Sequence, residues 1–168
     1  MAGRGILISN EIHPARAKIL SQNIERMGIR NAVVTNEDSG RLTKYFPAFF
    51  DGIIVDAPCS GEGMFRKEPV ARQQHCEALV KQCAELGAQI LDCAAAALAP
   101  GGQLVYSTCT ILPEENEQVT DAFLTEHSDF CRDGFTLPAP VGETEGQLTL
   151  WPQRHGTDGF YICRMKRK

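Results

Sequence analysis

Residues 53–61 read Ile53-Ile54-Val55-Asp56-Ala57-Pro58-Cys59-Ser60-Gly61, and the fold class turns on how this stretch is taken. From Gly52 to Asp56 the chain is short, apolar and β-branched, the pattern of a strand covered on both faces in a parallel sheet. Pro58 cannot donate to a sheet ladder and closes the strand. A thiol, Cys59, stands just beyond it, followed by the small residues Ser60 and Gly61. In open α/β sheets, ligands bind beyond the carboxyl ends of the strands, so a cysteine at this position is a candidate for chemistry.

Upstream, the apolar run Gly5–Ser9 is a second buried strand with Glu11 beyond its end. Pro14 suits the first turn of a helix. Ala17, Ile19, Leu20, Ile24 and Met27 recur at helical spacing until Gly28 stops it. Ala32–Thr35 is a further strand, followed by the turn cluster Asn36-Glu37-Asp38-Ser39-Gly40 and by Tyr45, Phe46, Phe49 and Phe50, which are expected to pack against the sheet. Strand, helix and strand in this order predict parallel strands joined by right-handed crossovers. Downstream, residues 61–69 form a polar loop. A long helix is expected from Arg72 to Ala99, then a strand over Gln103–Ser107 running into Cys109, and a helix opened by Pro113-Glu114-Glu115-Asn116-Glu117 and continued to His127. In that opening the acidic residues complement the helix dipole. Short strands and turns follow, with a Pro/Gly-rich connection over Pro138–Gly146, ending in Gly159–Met165. Without repeats or a low-complexity linker, residues 1–168 are expected to form one domain.

Composition narrows the function. The chain has 168 residues, 43% hydrophobic and 23% charged, enough to bury a core. Its formal net charge of −4 argues against nucleic-acid binding by bulk electrostatics, and the basic run Arg164–Lys168 is taken as a solvated tail. The seven cysteines show no zinc-type spacing, so neither a metal nor a disulfide framework is expected. No apolar run approaches a membrane span and no signal layout opens the chain, so a cytoplasmic protein is expected. Glu11, Asp38, Asp56 with Cys59, and Cys109 all fall at strand ends, and two converging thiols suggest covalent catalysis. For Glu11, a ribose-binding carboxylate and an ordinary strand-end carboxylate remain equally open.

Asp56-Ala57-Pro58-Cys59-Ser60-Gly61-Glu62-Gly63, then Ser107-Thr108-Cys109-Thr110 and Pro113-Glu114-Glu115-Asn116-Glu117, resemble the Nol/Nop/Sun family of RNA (cytosine-5)-methyltransferases, in particular its bacterial ribosomal-RNA branch. The likeness runs from Asn10-Glu11-Ile12-His13-Pro14-Ala15-Arg16 to Trp151-Pro152-Gln153-Arg154-His155-Gly156-Thr157-Asp158-Gly159-Phe160. It implies a Rossmann-like, mostly parallel methyltransferase sheet with an antiparallel C-terminal hairpin, S-adenosylmethionine as cofactor, and ribosomal RNA as partner. Carbon 5 of cytosine is a poor nucleophile, so such enzymes first add a thiolate to carbon 6. The resemblance assigns Cys109 as that nucleophile, Cys59 to release of the adduct, and Asp56 to contact with the cytosine ring. It places Glu11, Asp38, Asp56 and Pro58 around the cofactor. Arg66 and Lys67 become candidates for RNA phosphate contact, or for the field that lowers the thiol pKa together with the helix start near Pro113. Without the resemblance they are solvated loop charges.

The resemblance also implies a strand and glycine-rich cofactor loop before Gly5, which this chain lacks. The chain is therefore expected to be an incomplete catalytic domain that binds the cofactor weakly or not at all and self-associates to cover the gap. Two other classes are open. One is a non-catalytic RNA-binding or assembly module, discriminated by a methyl-transfer assay. The other is a cysteine hydrolase, disfavoured because no histidine follows a strand end near either thiol.

Overall fold

A computed structural model describes residues 4–67, 69–139 and 141–168. The chain divides into two compact units, Met1–Tyr45 and Phe46–Lys168.

In the first unit, β1 (Leu7–Asn10) and β2 (Ala32–Thr35) pair in parallel, joined by α1 (Pro14–Arg26). Pro14 stands in the first helical turn, where its missing N–H is no loss. Gly28 closes the other end at φ 66°, the left-handed conformation, and the Gly28 and Ile29 amides donate to the carbonyls of Glu25 and Ile24. A short helix, α2 (Ser39–Tyr45), occupies what the sequence presents as turn and aromatic stretch. The Asp38 carboxylate accepts the Arg41 N–H at 3.1 Å, which makes it an N-cap and explains why a Ser-Gly start can still nucleate a turn of helix.

The second unit is built on a five-stranded sheet in the order β3 (Phe50–Asp56), β4 (Leu98–Thr108), β9 (Phe160–Arg167), β5 (Phe130–Arg132), with β8 (Gln147–Leu150) also on β9. β3 and β4 are parallel, with Asp56 opposite Ser107. The C-terminal strands are antiparallel, as the family resemblance implies: β4, β5 and β8 all run against β9. A small hairpin of β6 (Phe135–Leu137) and β7 (Gly142–Thr144) stands apart. Alternate residues Leu104 and Tyr106 on β4, and Tyr161, Cys163 and Met165 on β9, form one face of the core with Val55. Leu91, Ala94 and Ala95 of α4 (Glu77–Ala97), with Val119 and Phe123 of α5 (Glu117–Glu126), cover it. A Cβ at Gly87 would lie 2.7 Å from the Tyr106 hydroxyl, so a glycine is what lets α4 approach β4 this closely. α6 (Pro152–His155) closes on a left-handed Gly156.

Several expectations need correction. The opening strand is not covered on both faces: Val55 is buried but Ile54 is 78% exposed, because α4 and α5 serve only the face that carries Val55. The expected long helix is two, α3 (Pro69–Gln74) and α4, since Cys76 is fully extended at φ −158°, ψ 161°. α5 starts at Glu117, not Pro113. The three phenylalanine rings of Phe46, Phe49 and Phe50 pack on each other at 5.1–5.4 Å, while Tyr45 is exposed. The basic terminus is not a solvated tail. It is β9, where Arg164 pairs with Asp133 and Arg167 with Asp129. Arg167 also donates to the carbonyls of Ala95 and Leu98 at 3.1 and 2.6 Å, satisfying the end of α4.

Candidate active site

The parallel pair β3 and β4 sets the site. The Ala57 N–H donates to the Ser107 carbonyl at 2.8 Å, extending the ladder one residue past Asp56. Both chains then turn away, and the two sulfurs that follow meet: Cys59 Sγ and Cys109 Sγ lie 3.0 Å apart. Both thiols are free and half-buried. The contact separates them chemically. A hydrogen bond from the Cys59 thiol pulls Cys109 down to about 7, against the opposing effects of burial and of the Asp56 charge. The same hydrogen bond, followed by burial, pushes Cys59 far above the ordinary thiol range. At neutral pH the arrangement can therefore hold one thiolate, on Cys109, stabilised by one thiol donor, on Cys59.

The turns carrying the thiols are tied together by residues that sequence reasoning assigned elsewhere. Glu115 and Asn116, expected in the dipole-complementing start of a helix, are 1% and 0% exposed. Glu115 Oε2 accepts the Ser60 N–H at 2.8 Å, and Glu115 Oε1 lies against the Ser60 hydroxyl. Asn116 accepts from Thr108 Oγ1 at 2.5 Å and donates to the Thr110 carbonyl at 3.1 Å, gripping both sides of Cys109. Glu62 completes the set, with Ser60 Oγ at 2.9 Å and the Thr110 hydroxyl on its other oxygen. The Gly63 N–H donates to the Cys109 carbonyl itself at 3.0 Å. A Cβ on Gly63 would stand 2.0 Å from the Gly159 carbonyl oxygen, so the support under the thiol depends on two glycines in backbone contact. The one signal available in sequence was that Pro113–Glu117 is polar throughout, with Asn116 at a position that suits an N-cap.

His75 is brought in by the break before α4. Its Nδ1 is 2.9 Å from Glu62 Oε1, though not aligned for a hydrogen bond, and its ring packs edge-on against Phe65. It also lines an open groove of about 490 Å³ with Val80, Lys81, Leu112 and Glu114.

The other expected site residues fall as follows. Asp56 is exposed at the end of β3, with Ser107 Oγ 3.5 Å from its carboxylate; Pro58 is exposed beside it. Arg66 and Lys67 both pair with Asp158, Arg66 at 3.3 Å, and hold that carboxyl below its usual range. In the first unit, Glu11 follows β1, accepts the His13 N–H at 2.9 Å and pairs with Arg16 at 2.9 Å. Asp38 caps α2. Of the remaining cysteines, Cys83 and Cys163 are buried, and burial pushes the Cys83 thiol up to about 11. Among the described residues no group of His, Cys, Asp and Glu is arranged to hold a metal, and no helix is long and apolar enough to cross a membrane.

Comparison with known proteins gives a consistent picture. The family model described as 16S rRNA methyltransferase RsmB/F matches residues 1–166. Ribosomal RNA small subunit methyltransferase F of Vibrio parahaemolyticus is 38% identical over 99% of this chain and 36% of its own length. The protein of the same name from Serratia proteamaculans is 36% identical over the same shares. The crystal structure of a methyltransferase homolog protein from Pyrococcus horikoshii superposes with a TM-score of 0.80 at 26% identity, covering 100% of this chain and 55% of that one. The chain thus spans about a third of the length of the curated relatives it matches.

Proposed function

The chain belongs to the 16S rRNA methyltransferase RsmB/F family, and from that premise we propose that it carries the reactive thiols of an S-adenosylmethionine-dependent methyltransferase acting on carbon 5 of cytosine in ribosomal RNA. The observation that supports this reading best is the thiol pair, with sulfurs 3.0 Å apart at the carboxyl ends of adjacent parallel strands and only one of the two favoured as thiolate.

Each residue has a defined part. The Cys109 thiolate adds to carbon 6 of the target base, forming an S–C6 bond and moving the C5=C6 electron pair toward carbon 5. When bound, S-adenosylmethionine supplies the electrophilic methyl group. Once carbon 5 is substituted, its proton is lost to solvent at the exposed end of β3. The electrons of that C–H bond re-form the double bond and expel Cys109 as thiolate. Cys59, in contact with the departing sulfur, assists this release. Asp56, exposed at the end of β3, faces solvent where a base would enter and contacts the ring. The base must be unpaired or flipped to reach these groups.

The residues also suit the cofactor's chemistry. Each Glu11 oxygen has one partner in the structure, which leaves a second lone pair on each for a ribose hydroxyl. By the family resemblance, Glu11 and Asp38 of the first unit are candidate cofactor contacts, and so are Asp56 and Pro58 of the second. Arg66 and Lys67 are exposed side chains whose pairing with Asp158 an RNA phosphate would have to displace.

A methyl-transfer assay tests the reading. Labelled methyl groups from S-adenosylmethionine should appear in ribosomal RNA as 5-methylcytidine after digestion to nucleosides. Label confined to another nucleoside, or none above background, would contradict it.

A further inference from the structure

The Ser60 hydroxyl presents a problem of proton accounting. Ser60 is 3% exposed, and its oxygen lies within hydrogen-bonding distance of two carboxylate oxygens, Glu62 Oε1 at 2.9 Å and Glu115 Oε1. A hydroxyl has one proton to give. If both carboxyls were ionised, one anionic oxygen would face hydroxyl lone pairs where Ser60 and Glu115 are both buried, at a cost that buried polar groups do not ordinarily bear.

We propose that Glu115 is a positioning residue that carries the shared proton at neutral pH: Glu115 Oε1–H donates to Ser60 Oγ, Ser60 donates to Glu62, and the two thiol-bearing turns are locked together without a second negative charge beside Cys109. Oε2 of the neutral carboxyl keeps the Ser60 N–H at 2.8 Å. Glu62 has further partners that Glu115 lacks, since it also receives the Thr110 hydroxyl and has His75 at 2.9 Å. The surroundings argue the same way. Groups acting on Glu115 are Cys59 and Cys109 from the two turns, Glu62 from the loop after β3, Cys83 from α4, Tyr106, whose hydroxyl donates to the Glu115 carbonyl at 2.9 Å, and His75. His75 is the one group among them that can become a cation. Burial, and then the Glu62 charge, raise the Glu115 carboxyl against the hydrogen bonds from Ser60 and the influence of His75, which lower it; an anionic Glu115 would in turn oppose the thiolate on Cys109.

The proposal rests on the thiol pair being the reactive centre, but its test needs neither RNA nor cofactor, so its failure is separable from failure of the methyl-transfer reading. Infrared spectra of the protein near pH 7 should show the carbonyl stretch of a protonated carboxyl, and Glu115→Gln should abolish it. The amide reproduces the neutral arrangement, accepting from the Ser60 N–H and donating to Ser60 Oγ. The pH profile for alkylation of Cys109 by iodoacetamide should therefore stay within about threefold of the parent, half a pKa unit. Absence of the carboxyl band in the parent protein overturns the proposal, and this holds even if the variant does not fold. Persistence of the band in Glu115→Gln would place the proton elsewhere and overturn it too. So would a rise of about tenfold or more in Cys109 alkylation below neutrality, the mark of a negative charge removed.

Discussion

At the scale of single residues, the site works by asymmetry between two chemically identical side chains. The two sulfurs are in contact and the arrangement favours Cys59 as donor and Cys109 as thiolate, so the depression of Cys109 to about 7 depends first on Cys59. The sign follows directly. Below that value Cys109 is a neutral thiol, and alkylation should rise as pH passes through it. Replacing Cys59 with alanine removes the donor, so the midpoint should move up toward the ordinary thiol value near 8.5. Mass-spectrometric rates of iodoacetamide labelling at Cys109 across pH measure this. An unchanged midpoint would mean that the thiolate is held by something other than its neighbour. Sequence placed both thiols at strand ends, because an apolar run broken by proline or by small polar residues marks such ends. It looked for the stabilising field in Arg66, Lys67 and a helix start and did not foresee the neighbouring thiol, because a thiol–thiol contact between residues fifty positions apart has no local signature.

At the scale of elements, the segment before α5 is the part that sequence logic reversed. Acidic residues ahead of a helix ordinarily sit in solvent and complement the dipole. Here Glu115 and Asn116 turn inward and hold the turns after β3 and β4. Only the pairing of β3 with β4 creates the space they fill, so the pattern Pro-Glu-Glu-Asn-Glu could not reveal it. Asn116→Ala would leave Thr108 Oγ1 and the Thr110 carbonyl without this partner in a buried site, a loss of about 1–3 kcal/mol for each group orphaned. Thermal denaturation should show a clearly lower Tm and the alkylation assay a slower Cys109. A fully stable variant with parent reactivity would show that Asn116 is not part of the support. Gly63 and Gly159 are equally constrained, since a methyl group on Gly63 cannot fit against the Gly159 carbonyl.

For the whole molecule, the strand–helix–strand order and the parallel β3–β4 pair were legible in hydrophobic period and turn residues, and they suffice for the α/β class; the antiparallel C-terminal strands were implied by the family resemblance alone. The extent of coverage was not legible. Continuous apolarity from Ile53 to Val55 suggested burial on both faces, yet Ile54 is exposed, because periodicity reports what a strand tolerates and not what lies on it. The same limit applied at the C-terminus, where Arg164 and Arg167 looked like tail charges and instead brace β9 through Asp133 and Asp129. What unites these parts is a sheet that delivers two sulfurs to one point, for which the proposed roles are Cys109 as attacking group and Cys59 as release group. The covalent protein–RNA adduct tests that division of labour most directly, resolved by denaturing gel electrophoresis after incubation with ribosomal RNA and S-adenosylmethionine. Cys59→Ala should accumulate the adduct and Cys109→Ala should form none; an adduct undiminished in the Cys109 variant, or none in the Cys59 variant, would contradict the assignment.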